Sequence, residues 1–250
     1  MKIFLKGFCI GLLCLSLLGL LWFLVLQPGL TNREAQDLKE GYAQPLPGES
    51  SGELPAGKEQ PEPESLVDLS ALQAKYPDIK GWISIPGTCV DYPVLQSSAD
   101  EPEYYLRRTY KGEHRTAGSI FFQWDCSPES KNLVVYGHNM NDGSMLASIR
   151  NYKDQEYYNE HPVMYLNTPT QNYKIEIFSA YTTDAESDTY KMFFESEADF
   201  ARNLDDWRVQ SLVSTNVDVS VDDRVITLST CTYEFYNARF VIQGKLTPVN

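Results

Sequence analysis

A cysteine and an arginine near the C-terminus could form a reactive pair. The segments Arg224 to Cys231 and Arg239 to Leu246 each alternate side chains between two faces, as β-strands do. If the two strands pair antiparallel across the loop between them, Arg239 returns beside Cys231. A cysteine is nucleophilic as its thiolate, and a nearby guanidinium favours that anion and can hold a developing oxyanion.

A histidine provides a third candidate group. Residues 132–136 form a short apolar run that is typical of a strand buried on both faces, and Gly137 then permits a sharp turn. His138 is therefore expected at a strand end, where a rigid scaffold leaves a side chain accessible. For Cys231 and Arg239 alone, a buried structural thiol and an ordinary ion pair are the simpler interpretation. The addition of His138 favours nucleophilic catalysis.

These residues lie in segments that together resemble the sortase family, and within it class B. The resemblance runs from about Leu66 to Leu246. The segments that carry it are Gly81 to Thr88, Val90 to Val94, Gly118 to Phe121, Tyr136 to Met140, Asp142 to Met145, Thr227 to Cys231 and Arg239 to Leu246.

The resemblance implies a transpeptidase at the cell surface. Cys231 would attack the backbone carbonyl directly after the Cα of a threonine, which lies in a sorting motif near the C-terminus of a secreted protein. Arg239 would stabilise the oxyanion or clamp the motif. His138 would protonate the departing amine and then deprotonate an incoming amine, on a peptidoglycan precursor or on a lysine of another protein. These steps need no metal or organic cofactor.

The resemblance also implies substrate contacts. Ser229 shares a strand face with Cys231 and is expected to hydrogen-bond the bound motif, with Thr230 beside it. Tyr190 matches a tyrosine that the family places on the wall of the substrate groove.

The chain departs from the class B pattern at two places. Glu101-Pro102 stands where class B members often carry Asp-Asn, and Gln123-Trp124 replaces a common Asp-Tyr pair. These differences leave the preferred sorting motif open.

The expected fold is mainly β with peripheral helices. The resemblance implies a closed barrel of about eight strands, an N-terminal helix and an extra helix before the penultimate strand. The N-terminal helix is predicted to begin at a Ser65 cap and to end before Pro77. A second helix is predicted from about Gly143 to Asn151 with Asp142 as its cap, and the extra helix from Glu197 to Val209 with Ser196 as its cap.

Composition divides the chain into three parts. Residues 1–30 are predicted to be a short cytoplasmic N-terminus and a transmembrane signal anchor, because Gly7 to Leu26 is almost wholly apolar and follows Lys2 and Lys6. Residues 31–64 are predicted to be a disordered linker rich in proline and glutamate, and residues 65–250 the catalytic domain. The membrane is therefore an expected partner, through the N-terminal helix.

Charge and cysteine content limit the possible functions. The net charge is −13, and the chain lacks the basic stripe that phosphate binding needs, which argues against a nucleic-acid partner. Three cysteines follow the apolar segment: Cys89, Cys126 and Cys231. A bridge between Cys89 and Cys126 stays open at this level, and either outcome leaves Cys231 as a free thiol.

Three functions are compatible with the sequence. The first is a class B sortase that joins surface proteins to peptidoglycan. The second is a sortase that assembles pili or acts as a surface cysteine peptidase. The third is a non-catalytic surface binding domain in which Cys231, His138 and Arg239 are incidental. Thiol reactivity separates the third from the others, and dependence on an amine separates the first two.

Overall fold

The computed structural model describes residues 14–16, 27–44 and 66–249. Its helices are α1 (Gln27–Gly41), α2 (Leu69–Lys75), α3 (Gln155–Glu160) and α4 (Glu197–Gln210). Its strands are β1 (Ala43–Gln44), β2 (Leu66–Val67), β3 (Ile79–Ser84), β4 (Asp91–Gln96), β5 (Ile120–Phe122), β6 (Asn132–Tyr136), β7 (Val163–Asn167), β8 (Asn172–Asp184), β9 (Arg224–Cys231) and β10 (Ala238–Val249). Short 3-10 helices span Tyr104–Arg107, Ala147–Lys153 and Asp188–Tyr190.

Strands β3 to β10 form a closed barrel of eight strands in the order β10-β8-β7-β3-β4-β5-β6-β9. The pairs β4–β5 and β6–β9 are parallel, whereas the other neighbours in the barrel are antiparallel. Closure gives every strand two hydrogen-bonded neighbours and leaves no long free edge. The prediction of a closed barrel of about eight strands is confirmed.

Apolar side chains on alternate positions of the strands fill the barrel. Ile83, Val135, Leu228 and Ile242 are fully buried there. Burial of such side chains from water supplies most of the favourable free energy of folding. The interior of the barrel is therefore a packed core.

Helix α4 covers the outer face of the barrel just before the penultimate strand. Its buried side chains Phe200, Leu204 and Trp207 pack in one cluster with residues of β8, β9 and β10. The Ser196 side chain accepts a hydrogen bond from the Asp199 amide, as a helix N-cap does. The predicted extra helix and its cap are confirmed.

Residues 31–44 are folded, which corrects the prediction of a disordered linker over 31–64. Helix α1 buries Ala35 and Leu38, and β1 pairs with β2. Lys39 binds Asp91 at 2.7 Å. Sequence alone did not indicate this packing because two apolar side chains on a charged helix gain stability only from the barrel surface beneath them. Residues 45–64 lie outside the described residues.

Two predicted helix starts are wrong. Asp68, and not Ser65, caps α2 by accepting a hydrogen bond from the Ala71 amide at 2.9 Å, while residue 65 lies outside the described residues. Asp142 caps a turn through Ser144 and no helix follows it directly. Gly143 and Met145 both have positive φ, which an α-helix does not permit, so the helical segment is the later 3-10 helix.

Cys89 and Cys126 are not bridged to each other, and both are free thiols. The Cys89 thiol contacts the Gly143 carbonyl at 2.9 Å, and the Cys126 sulfur lies 3.2 Å from the Met192 sulfur. Burial raises the pKa of the Cys126 thiol to about 11, so this thiol is unreactive at neutral pH.

The membrane segment predicted at residues 7–26 lies outside the described residues except for 14–16. In the parts that the structure does describe, no helix is long and apolar enough to cross a membrane.

Gly118 offers a test of how closely the chain packs against the backbone of Leu106. A Cβ atom there would lie 2.3 Å from the Leu106 carbonyl oxygen, whereas a Cβ at Gly143 would meet nothing within 4 Å. Both glycines have positive φ. We expect Gly143→Ala to lower the free energy of unfolding by about 1 kcal/mol, and Gly118→Ala by at least ~3 kcal/mol because a backbone clash is added. Urea unfolding of both variants checks this, and equal losses would contradict it.

Candidate active site

Cys231 and Arg239 face each other across adjacent strands. In the antiparallel pair β9–β10 they occupy directly opposed positions, as predicted. Opposed residues of such a pair place their side chains on the same face, with Cβ atoms about 5 Å apart. The Arg239 guanidinium donates to the carbonyls of Asn237 and Ala238, at 3.3 Å and 3.1 Å. These bonds hold the guanidinium at the turn into β10.

His138 reaches the same end of the barrel through a parallel pairing. Strand β6 runs parallel to β9, with Tyr136 aligned to Ser229. His138 and Cys231 each follow that aligned pair by two residues. Since parallel strands end at the same edge of a sheet, both residues lie at one rim. The Asn139 amide donates to the Cys231 carbonyl at 3.0 Å and ties the two strand ends together.

A hydrogen bond fixes the orientation of the His138 ring. Its Nε2 lies 2.8 Å from the Leu106 carbonyl oxygen. A carbonyl only accepts, so Nε2 carries the hydrogen and Nδ1 is the nitrogen left for proton exchange. Burial lowers the pKa of His138, the Leu106 bond opposes this, and the positive charge of Arg107 lowers the pKa a little further. The ring is therefore neutral at neutral pH.

All six predicted site residues line one cleft of about 720 Å³. They are the three candidate catalytic residues and the three candidate substrate-binding residues: His138, Cys231, Arg239, Ser229, Thr230 and Tyr190. The positions that depart from the class B pattern also line this cleft: Glu101, Pro102, Gln123 and Trp124. The structure thus brings the whole candidate site together at one opening.

The candidate substrate-binding residues are joined to their surroundings by hydrogen bonds. The Ser229 hydroxyl lies 2.9 Å from the Tyr190 hydroxyl, and the Thr230 hydroxyl donates to the Gly137 carbonyl at 2.8 Å. Burial raises the pKa of Tyr190 to about 12, although the charge of Arg239 lowers it. Tyr190 is therefore a neutral phenol that can donate or accept. Its contact with a substrate, like those of Ser229 and Thr230, stays a prediction.

A buried polar network, which the sequence did not reveal, positions Tyr190. The Gln243 amide donates to Thr227, whose hydroxyl donates to the Asn132 side-chain carbonyl. The Asn132 amide then donates to the carbonyls of Thr189 and Lys191, on both sides of Tyr190. The only signal in the sequence was a polar residue at the start of the apolar run 132–136.

A second set of contacts supports the loop that follows His138. The Leu146 amide donates to the His138 carbonyl at 3.0 Å. The adjacent Met145 amide donates to the Tyr92 hydroxyl at 3.0 Å, and that hydroxyl donates to Asn32 of α1. Helix α1 is thus linked by hydrogen bonds to the loop behind His138.

The loop after Cys231 is held by a carboxylate. Glu234 accepts a hydrogen bond from Thr232 and pairs with Lys153. The bonds from Lys153 and Thr232 lower the pKa of Glu234 to about 2, so it is ionised throughout the neutral range. The first part of the loop that joins Cys231 to Arg239 is therefore tied to Lys153, at the end of the 3-10 helix Ala147–Lys153.

Comparison with known proteins agrees with this geometry. The family model Sortase domain matches residues 83–247. Sortase B of Listeria monocytogenes is 42% identical over 183 residues, which cover 72% of this chain and 74% of the relative. A solved Staphylococcus aureus sortase B-substrate complex superimposes with a TM-score of 0.68 at 32% identity, covering 73% of this chain and 85% of that one. A structure of sortase B complexed with triglycine gives the same TM-score and identity, with 72% and 86% covered.

A closed barrel with this cleft and these matches places the chain in the sortase family, whose members are transpeptidases. The relatives described above are sortase B proteins. The chain is accordingly a class B sortase, as its motifs indicated.

The environment of His138 predicts its titration. We expect its NMR titration midpoint to lie below the ordinary value of 6.5, because burial disfavours the charged ring. Arg107→Gln should move the midpoint upward by removing a like charge, while the distant Arg202→Gln should leave it unchanged. The folded state then binds fewer protons than the unfolded chain, so this residue's contribution to stability falls as the pH drops below about 6.5. A midpoint above 6.5 would contradict the structural explanation.

Proposed function

We propose that this class B sortase is a cysteine transpeptidase. It cleaves a sorting motif after threonine in a secreted protein and joins the acyl group to an amine of the cell wall. The observation that carries the proposal is the convergence of His138, Cys231 and Arg239 on one cleft from three different strands. Two structural relatives, one a substrate complex and one a complex with triglycine, support a peptide substrate and an amine acceptor.

The first half of the reaction forms a thioester. Neutral His138 takes the proton of the Cys231 thiol, the resulting thiolate adds to the threonine carbonyl carbon, and the carbonyl oxygen becomes an oxyanion. Arg239 stabilises this charge, because its guanidinium presents fixed donors at the turn beside the thiol. The C–N bond then breaks, protonated His138 gives its proton to the departing amine, and the acyl group remains on sulfur.

The second half transfers the acyl group. An amine of the cell wall adds to the thioester, and neutral His138 removes its proton. The new C–N bond replaces the C–S bond, and the released Cys231 thiolate takes the proton back from His138, which restores the starting state. The depressed pKa of His138 suits this step, because the ring is available as a base at neutral pH. Thioesters react readily with amines, so a positioned amine competes with water.

The decisive experiment pairs cleavage with capture of an amine. The full chain in detergent is incubated with a library of threonine-containing peptides, with and without triglycine. We expect cleavage after threonine, a covalent triglycine product, and at least a ~10³-fold loss of kcat/KM in Cys231→Ala. Cys89→Ala is the matched control, since it removes a thiol outside the cleft and should retain activity.

The other two functions predict different results. Cleavage that needs Cys231 but ignores triglycine would support a peptidase. A chain that neither cleaves any peptide nor shows a reactive Cys231 would support the binding domain and contradict the proposal.

We also propose that residues 7–26 anchor the chain in the membrane, with the catalytic domain outside the cell. The support is the apolar sequence and the two preceding lysines. We expect the full chain to stay with membranes after carbonate extraction, and a chain lacking residues 1–26 to be released. Release of both forms alike would contradict the anchor.

A further inference from the structure

A second hollow, of about 540 Å³, adjoins the active-site cleft. The two cavities share Glu101, Tyr104 and Trp124 as lining residues. The candidate catalytic residues, including Cys231, line the cleft and not the hollow. The hollow is therefore a continuation of the cleft beyond the part that holds the thiol.

Hydrogen bonds hold the walls of this hollow in place. The Gln96 amide on one wall donates to three carbonyls of the opposite turn, those of Gln123, Trp124 and Cys126. The Ser97 hydroxyl donates to the Pro102 carbonyl at 2.7 Å. These contacts connect the end of β4 to both segments that border the cleft, so the hollow is formed before any ligand enters.

The lining of the hollow suits a cationic side chain. Two carboxylates, Asp78 and Glu101, lie in it together with Trp124 and Tyr104, which it shares with the cleft. The Arg108 guanidinium already lies 4.4 Å from the Tyr104 ring centroid, so Trp124 is the ring that faces a ligand. The Glu101 carboxylate has no hydrogen-bond or ion-pair partner among the described residues, and Trp124 is 42% exposed. The single lysine of the lining, Lys80, donates to the Pro77 carbonyl at 2.7 Å. Carboxylates beside aromatic faces attract ammonium and guanidinium groups.

The cleft continues into the hollow on the side of Glu101 and Trp124, which gives a bound substrate one path beyond the thiol. The motif precedes the scissile bond, so its residues extend away from Cys231 along the cleft. This acyl portion stays bound while the leaving group departs. We propose that the chain upstream of the motif leaves the cleft past Glu101 and Trp124, and that the hollow binds a lysine or arginine side chain immediately upstream of the sorting motif, an inference that rests on the proposed transpeptidase function.

The test compares peptides that differ only upstream of the motif. The best peptide from the threonine library is made with Lys, Gln or Glu at each of the three positions before the motif, and transfer to triglycine is measured. We expect Lys to exceed Gln in kcat/KM by roughly two- to fivefold at one position, in the range of a partly exposed ion pair. Added salt should reduce the preference.

Substitutions of the residues that line the hollow test whether the preference for Lys arises there. Glu101→Gln should abolish the preference for Lys, and Glu101→Lys should reverse it in favour of Glu. Glu160→Gln, which removes an exposed carboxylate on α3, should leave it unchanged. Asp78→Asn should weaken the preference. Its unfolding is measured as well, since Asp78 also accepts a hydrogen bond from Tyr105.

Several results would overturn the inference while leaving the proposed function intact. These are equal rates for Lys and Gln at every upstream position, a preference that survives Glu101→Gln, or a change in KM for triglycine alone. The dissociation constants of the Lys and Gln peptides for Cys231→Ala give the same comparison without chemistry. Equal affinities would contradict the binding of a basic side chain in the hollow. Unequal affinities without any transfer to triglycine would contradict only the proposed function.

Discussion

The active site depends on the pairing of β9 with a parallel neighbour on one side and an antiparallel neighbour on the other. The antiparallel register opposes Cys231 to Arg239, and the parallel register brings β6 to the same rim with His138. A slip of one residue in either register would turn the cysteine to the other face of the barrel wall. The buried bonds from Gln243 to Thr227 and from Thr227 to Asn132 cross both pairings. A shift in either register would break these buried bonds, which favours the observed register.

At this rim of the barrel, His138 and Arg239 have different chemical properties. Burial keeps the His138 ring neutral, and the Leu106 carbonyl selects the nitrogen that remains available. The Arg239 guanidinium is held by carbonyls of its own turn. The site thus contains one group suited to proton exchange and one fixed positive charge. A reaction that passes through an oxyanion and exchanges one amine for another needs both.

The surroundings of the rim explain how a small site is held in place by distant parts of the chain. Helix α1 packs on the barrel and reaches the loop behind His138 through Asn32, Tyr92 and Met145. The walls of the cleft are joined in turn through Gln96 to the hollow beyond it. The helix that precedes the barrel is therefore part of the support of the site, although its sequence resembles a charged tether.

Three features could be predicted from the sequence: the pairing of the last two strands, the position of His138 at a strand end, and the capped helix that begins at Glu197. These features depend on local patterns: alternation, an apolar run followed by glycine, and a serine cap three residues before its amide partner. Other features depend on contacts that form only in the folded chain. Helix α1 is folded because the barrel covers Ala35 and Leu38, and the turn at Gly143 and Met145 replaces a helix because Tyr92 binds the Met145 amide. Tyr190 stands in the cleft because Asn132, distant in sequence, holds both of its neighbours. Contacts between residues far apart in sequence leave no periodic pattern, so their effect is visible only when the chain is folded.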